Sequence, residues 1–388
     1  MMVESDENQG LARVRAIYQD RSQRVRQLKA QGEKVLGYLC AYPVLEMMTA
    51  LDLIPYRILG DIKEPITSAN ACLPTVVCPF LRSALDLGLK KRYDFLDGVV
   101  MAHTCDVAEK MAHIWHIYLE PSFFYFIDTP HTVNEAALNQ HKELIKDFQK
   151  TLESFAGKEL TWERLKGAIK SHNRQRALVR ELYGLRKADP PPISGTETLQ
   201  VIVSLMSLPI EEGNKLLQQV ISQVKGRHDG PQKKPARLLV WGSIIDNTIL
   251  IEMIEQLAAN LVMDDTCIGS RFYWPDVEVT PDPLDGLAYR YLAALKCPRT
   301  FRGAGQDYQK DLESRFGYLK DYIKEWRVNG VVLQSMRYCD IHGYEVPQVR
   351  DYLNSIGLPS IYLEQDYSRV APAQLNTRLQ AFLEMIKR

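Results

Sequence analysis

The most restrictive feature of this chain is an alternation. Short apolar runs end at a turn and give way to a proline- or aspartate-led amphipathic stretch. The runs at 34–40, 54–59 and 93–103 read as strands, the last with a turn ahead of it. Pro43 opens a helix over 44–53, and Pro79 precedes an amphipathic stretch at 80–89. Proline suits a first helical turn, where its missing N–H costs nothing. Asp106 is placed to cap a helix running through Trp115. A charged helix over 11–31 precedes the first run.

From 132 to 225 the composition shifts to long segments of helical period rich in Glu, Lys, Arg and Gln, interrupted by the proline-bearing connector 189–195. The polar stretch 226–234, GRHDGPQKK, reads as a linker. Beyond it the alternation resumes. Strands are expected at 237–243, 260–264, 329–335 and 359–363, with helices at 248–259, 283–296, 312–325, 346–356 and 377–387. Repeated strand–helix units imply parallel sheets covered by helices. The expectation is an α/β fold: two Rossmann-like parallel-sheet domains, 1–130 and 234–388, with an additional helical section and linker at 131–233.

Composition removes several function classes. Forty-eight Lys and Arg balance forty-eight Asp and Glu, so the basic excess that drives binding to nucleic acid or anionic lipid is missing. No eighteen-residue apolar stretch is free of charge: even RLLVWGSIIDNTILIEMI carries Asp246 and Glu252, so no membrane span is expected. The acidic N-terminus lacks the layout of a signal peptide, which points to the cytoplasm. A Walker lysine motif, Gly-x-Gly-x-x-Gly and Gly-x-Ser-x-Gly are all missing, so intrinsic ATP hydrolysis, tight dinucleotide binding and serine-hydrolase chemistry lose support.

The chemistry signal lies in where the seven cysteines fall. Cys40, Cys105, Cys267 and Cys339 each follow an apolar strand, and Cys78 directly precedes a proline-led helix. Ligands collect beyond the C-terminal strand edges of open α/β sheets, where helix N-termini offer free N–H groups. Thiols there become metal ligands or nucleophiles. Cys72 and Cys297 read as small core residues, and with no Cys-x-x-Cys pair any metal would draw its ligands from distant loops. His113 and His116 read as a half-buried helix face, and the pair Asp264 and Asp265 as carboxylates binding a cap or loop. His103 and His342, near Cys105 and Cys339, are proton-donor candidates if those cysteines define the site.

A series of short motifs runs along the chain: 37–46 (GYLCAYPVLE), 77–83 (VCPFLRS), 96–100 (LDGVV), 104–106 (TCD), 173–176 (NRQR) and 193–195 (ISG). It continues with 264–271 (DDTCIGSR), 282–284 (DPL), 329–332 (NGVV), 338–340 (YCD) and 374–378 (QLNTR). In this order the series resembles the 2-hydroxyacyl-CoA dehydratase and benzoyl-CoA reductase subunits. The resemblance implies an oxygen-sensitive, iron-sulfur acyl-CoA enzyme. By motif match, Cys78, Cys105 and Cys339 hold a [4Fe-4S] cluster, and Glu46 stands for an acid that follows the first strand in many members. His103 is the accompanying catalytic candidate. Implied partners are an acyl-CoA substrate, a homologous sister subunit and an ATP-hydrolysing iron-sulfur activator. A related branch carries a double-cubane [8Fe-9S] cluster, for which Cys40 and Cys267 are the additional candidates.

Overall fold

The computed structural model describes residues 9–303, 307–367 and 373–386. Its frame is a pair of four-stranded parallel sheets of identical strand order. The first comprises β1 (Lys34–Tyr38), β2 (Leu53–Arg57), β3 (Gly98–Ala102) and β4 (Phe124–Ile127), ordered β2-β1-β3-β4. The second comprises β5 (Ala236–Gly242), β6 (Ala259–Asp265), β7 (Gly330–Met336) and β8 (Ser360–Gln365), ordered β6-β5-β7-β8. The central strands β3, β5 and β7 are buried throughout, as expected for strands covered on both faces. Pro55 sits in β2, an edge strand paired on one side with β1, so its missing N–H breaks no ladder. The order reverses between β1 and β3 and between β5 and β7, so each sheet has a switch point at its C-terminal edge.

Four helices fill the interval between the sheets: Glu135–Ala156, Trp162–Leu185, Gly195–Leu205 and Ile210–Gly226. Helix Trp162–Leu185 is a strut serving both halves. Its Arg176 pairs with Glu46 beside the first sheet, while its Tyr183 hydroxyl donates to Asp264 at the end of β6, at 2.5 Å. Arg237 of β5 ties the helix's far end down, donating to the Arg186 and Ala188 carbonyls at 3.0 Å each. One large core of buried apolar side chains runs through both sheets and these helices, and a smaller cluster of Val25, Leu28, Val35, Ile54, Tyr56 and Phe95 covers part of β1 and β2.

Several boundaries differ from the sequence reading. The expected helix over 11–31 is two, Gly10–Gln19 and Gln23–Ala30, because Asp20 accepts from both the N–H and the hydroxyl of Ser22, a local turn that competes with the helix. The residue capping helix Asp106–Leu119 is Cys105, and Asp106 is its first helical residue. Helix Asp340–Ser355 starts six residues before the expected 346. The helix expected over 283–296 opens into a π-turn at Tyr289–Ala294. Strand β4 lies outside the expected elements. The last helix is Ala373–Ile386, and Lys387 of the expected range lies outside the described residues. Among the described residues, no helix is long and apolar enough to cross a membrane.

Candidate metal centre at the facing strand edges

The C-terminal edges of the two sheets are turned toward each other. Gly60, beyond β2, donates to Asp246, beyond β5, at 3.3 Å, and the Tyr42 and Thr300 hydroxyls meet at 3.0 Å. Arg299 donates to the Pro130 carbonyl at 2.5 Å and to that of Thr129, and Phe301 donates to the His131 carbonyl at 2.7 Å. The second half therefore docks on the end of β4.

Three cysteines meet at this junction, each at the start of a helix. Cys78 precedes Pro79–Leu89, Cys105 precedes Asp106–Leu119, and Cys339 precedes Asp340–Ser355. Proline at the first helical position fixes the entry of the chain after Cys78. The free N–H groups of the first turns point back at the sulfurs: Phe80 and Leu81 toward Cys78, Val107 and Ala108 toward Cys105, His342 toward Cys339. The Ala108 contact spans 3.4 Å. Such positions favour negative charge.

Burial nevertheless dominates, and it pushes all three thiols up. Cys105 reaches about 12, raised first by burial and then by the nearby Cys78 and Cys40 sulfurs. Cys339 is well above the ordinary thiol value through burial, with Cys78, Cys267 and Cys105 adding to it. Cys78 is raised by burial, with Asp340 and Asp246 contributing. The three sulfurs thus lie within electrostatic reach of one another while staying protonated near neutral pH. A thiol held neutral is a poor nucleophile. It becomes a thiolate when a metal displaces its proton, so the donor set fits a metal group better than thiol attack.

A second triangle adjoins the first. Cys40 is raised by burial, with Cys297 contributing against Arg57; Cys267 is pushed up to about 12 by burial, with Cys297 and Cys40 adding to it against Arg271. Cys40 lies within electrostatic reach of Cys105, and Cys267 of Cys339, so six sulfurs cluster at the facing edges in two adjoining sets of three. Cys297, which reads from sequence as a core residue, belongs to the second; Cys72 belongs to neither. The backbone at both rims is held in the left-handed region by non-glycine residues, Cys40 (φ 68°) and Tyr338 (φ 61°), at a cost of about 1–3 kcal/mol each. Arg57 offsets this at one rim by donating to the Cys40 carbonyl from a fully buried position.

The remaining candidates fall in different places. Glu46 is fully buried. It pairs with Arg176 and accepts from the Tyr291 hydroxyl at 2.7 Å, which the π-turn presents. Burial works to raise its pKa, but Arg176, supported by His172 and Arg290, overrides burial and holds it well below the usual carboxylate range. A carboxylate so held is a weak base, and its partners include no thiol. His103 follows β3 and is half-buried; its Nδ1 lies 2.7 Å from Asp128 and its ring stands edge-on to His131 at 4.9 Å. Ligand atoms of His103, Asp106 and Glu109 lie within 4.8 Å of one another. His342 is buried and its pKa lies well below the ordinary value because of burial and then Arg271. His113 and His116 face the aromatic rings of Phe126 and Phe124.

The sequence profile of the 2-hydroxyglutaryl-CoA dehydratase D-component matches residues 40–386, almost the whole chain and all six converging cysteines. The chain belongs to this dehydratase family. One benzoyl-CoA reductase polypeptide, from Thauera aromatica, is 26% identical over 387 residues, covering 97% of this chain and 98% of that one. The (R)-phenyllactyl-CoA dehydratase beta subunit of Clostridium sporogenes is 24% identical over 367 residues, covering 93% and 94%. The beta subunit of (R)-2-hydroxyglutaryl-CoA dehydratase from Acidaminococcus fermentans is 23% identical over 366 residues, covering 92% and 94%. This family member is accordingly an enzyme subunit of the dehydratase and reductase type. Sequence reasoning assigns no role to Arg57, Arg271 or Tyr318, and reads Asp265 only as a carboxylate binding a cap or loop, where the structure pairs it with Arg271 and Tyr318. The linear trace is the stretch 264–271, which holds both Asp265 and Arg271.

Proposed function

We propose that this chain is the iron-sulfur subunit of an oxygen-sensitive acyl-CoA enzyme of the benzoyl-CoA reductase or 2-hydroxyacyl-CoA dehydratase type. Cys78, Cys105 and Cys339 hold a [4Fe-4S] cluster. The observation that carries this reading is the convergence of three cysteines that each sit at the start of a helix, two from the first half and one from the second, at the facing strand edges. When bound, such a cluster supplies one-electron transfer at very low potential, which makes an aromatic ring or an unactivated β-hydrogen reactive.

The chain's own residues do the rest. First-turn N–H groups stabilise the thiolates, and the surrounding core keeps water away. Asp128 accepts from His103 Nδ1–H, which leaves Nε2 free to take or give a proton two residues from Cys105. Glu46 anchors helix Leu45–Ala50 to Arg176 and Tyr291 instead of moving a proton. The chain works in the cytoplasm, where its seven free thiols stay reduced, beside a homologous sister chain. Its electron comes from an ATP-hydrolysing iron-sulfur activator, in keeping with the missing Walker motif. The sister chain decides whether this polypeptide binds the thioester or relays the electron.

A second reading is favoured by one observation, the adjoining triangle of Cys40, Cys267 and Cys297. Six sulfurs in two linked sets suit a double-cubane [8Fe-9S] cluster in a homodimeric reductase of small molecules. Iron and sulfide analysis of anaerobically purified protein separates the two. About four iron and four sulfide per chain support the single cluster, about eight and nine the double one, and none refutes both. Turnover of benzoyl-CoA against 2-hydroxyacyl-CoA thioesters with the activator then names the reaction.

A further inference from the structure

One buried polar chain ends on a proposed ligand sulfur and belongs to no step described so far. It begins at Tyr318, whose hydroxyl donates to Asp265 Oδ2 at 2.5 Å. Asp265 accepts from Arg271 through both carboxylate oxygens, from Nε and from Nη2 at 3.2 Å each, and its carbonyl accepts from Nη2 at 2.7 Å. The remaining nitrogen, Nη1, donates to the Gly242 carbonyl and contacts His342 Nε2, both at 3.0 Å, and lies 3.9 Å from Cys267 Sγ. His342 Nδ1 lies 3.5 Å from Cys339 Sγ. Asp265, Arg271 and His342 are all buried, and Trp241 packs against both the guanidinium and the imidazole.

Donor chemistry orients the link that the argument needs. A guanidinium has only donors, so His342 Nε2 accepts from Arg271, and the Gly242 carbonyl beside both is taken up by Arg271 Nη1. In that arrangement the ring proton sits on Nδ1, which faces Cys339. The Asp265 carboxylate holds Arg271 in one orientation, and Arg271 holds the imidazole in one tautomer. A permanent positive charge therefore lies beside the Cys267 sulfur, and the N–H that it orients faces the Cys339 sulfur. Both interactions strengthen as negative charge accumulates there.

We propose that Arg271 and His342 are positioning residues that set the reduction potential of the group bound at Cys339. The proposal rests on the cluster reading above. One electron arrives from a low-potential one-electron donor and stays on the metal–sulfur unit. No bond breaks, and the imidazole proton remains on Nδ1 as its hydrogen bond to the sulfur shortens. Because the reduced state gains more from this bond, the relay raises the potential. Backbone N–H groups face all three sulfurs, so what distinguishes Cys339 is the added imidazole N–H.

The test is an anaerobic redox titration followed by electron paramagnetic resonance, on whole protein whose iron and sulfide have been counted. In His342→Phe with its cluster intact, the reduced-to-oxidised ratio at a fixed ambient potential should fall about tenfold, about 59 mV for a one-electron couple. His342→Asn, which keeps an amide N–H in place of Nδ1–H, should recover part of that shift. An unmoved midpoint in His342→Phe overturns the relay while leaving the cluster reading intact. A wild-type protein free of iron overturns the cluster reading itself. Should His342→Phe lose its cluster, the wild type decides alone. Protein carrying ¹⁵N-histidine should show nitrogen and exchangeable-proton hyperfine coupling to the reduced cluster, and its absence overturns the relay.

Discussion

Replacing Glu46 by Gln separates an anchoring role from a chemical one. The side chain is fully buried, bonded to Arg176 and to the Tyr291 hydroxyl at 2.7 Å, and Arg176 is itself 3% exposed. The substitution keeps the shape but leaves a buried guanidinium without its carboxylate. Breaking a buried pair from one side costs about 3–5 kcal/mol. Arg176 retains its 2.7 Å bond to Asn173, which places the expected loss near the lower end, about 3 kcal/mol. At about 2 °C per kcal/mol for a chain of this size, the thermal midpoint should fall by about 6 °C. Differential scanning fluorimetry on Glu46→Gln, Arg176→Met and the double variant measures this. The double variant should lose less than the sum of the two single losses, because it removes both charges together. Activity should fall only in proportion to the folded fraction. A Glu46→Gln protein that melts like wild type yet has lost turnover would refute the anchoring argument and make Glu46 a chemical base.

Three further outcomes are expected. Substituting Cys78, Cys105 or Cys339 by Ala should abolish the visible iron-sulfur absorbance, and a full cluster in all three variants would remove the ligand assignment. If Cys297→Ala also halves the iron content, the double cubane is the correct form. Stability should decline on mild acidification: His141 and His172, both lowered to about 4 by burial first, are neutral in the fold and protonate more readily when unfolded. Their contribution is complete above about pH 6.5 and is lost as pH falls toward 4, at about 1.4 kcal/mol per pH unit for each histidine. Glu46, depressed in the fold, adds a loss only below about pH 4.3. Urea midpoints at pH 7, 6 and 5 should follow that slope, and His141→Phe should flatten it. Finally, a methyl group at Gly242 would lie 2.0 Å from the Gln334 carbonyl oxygen on β7, so Gly242→Ala should cost about 1–3 kcal/mol by chemical denaturation.

The sheets are legible because their central strands are continuous apolar runs, a pattern that burial on both faces imposes. Strand β4 is hidden because Phe124–Ile127 is a short, aromatic edge strand just beyond Pro121, with no run of branched aliphatic residues to announce it. The helix break at Asp20–Ser22 carries no glycine or proline; a side-chain hydrogen bond makes it. Cys105 reads from sequence as a neighbour of the cap because sulfur is not a usual capping atom, yet the site needs it there. The thiols after strands can be found from sequence since strand ends are local features. Cys297 cannot, because it reaches the second triangle through the docking of a loop against β4. Arg57, Arg271 and Tyr318 escape for the same reason: a buried charge is recognised by its partner, and the partner's location is a property of the tertiary fold.

The first helix, Gly10–Gln19, packs on Gly195–Leu205 and Ile210–Gly226, with the Leu11 N–H on Gln223 at 2.8 Å across 212 positions of sequence. A chain emerging from the ribosome makes that helix first and its resting place some 200 residues later. At about 5–20 residues per second, its apolar stripe waits about 10–40 s for a surface to cover it. During that interval the opening segment is available to chaperones, and a ribosome stalled before residue 226 leaves it exposed. The time taken to synthesise the helical section is therefore a vulnerability set by the architecture, and slowing translation across that stretch should lengthen it.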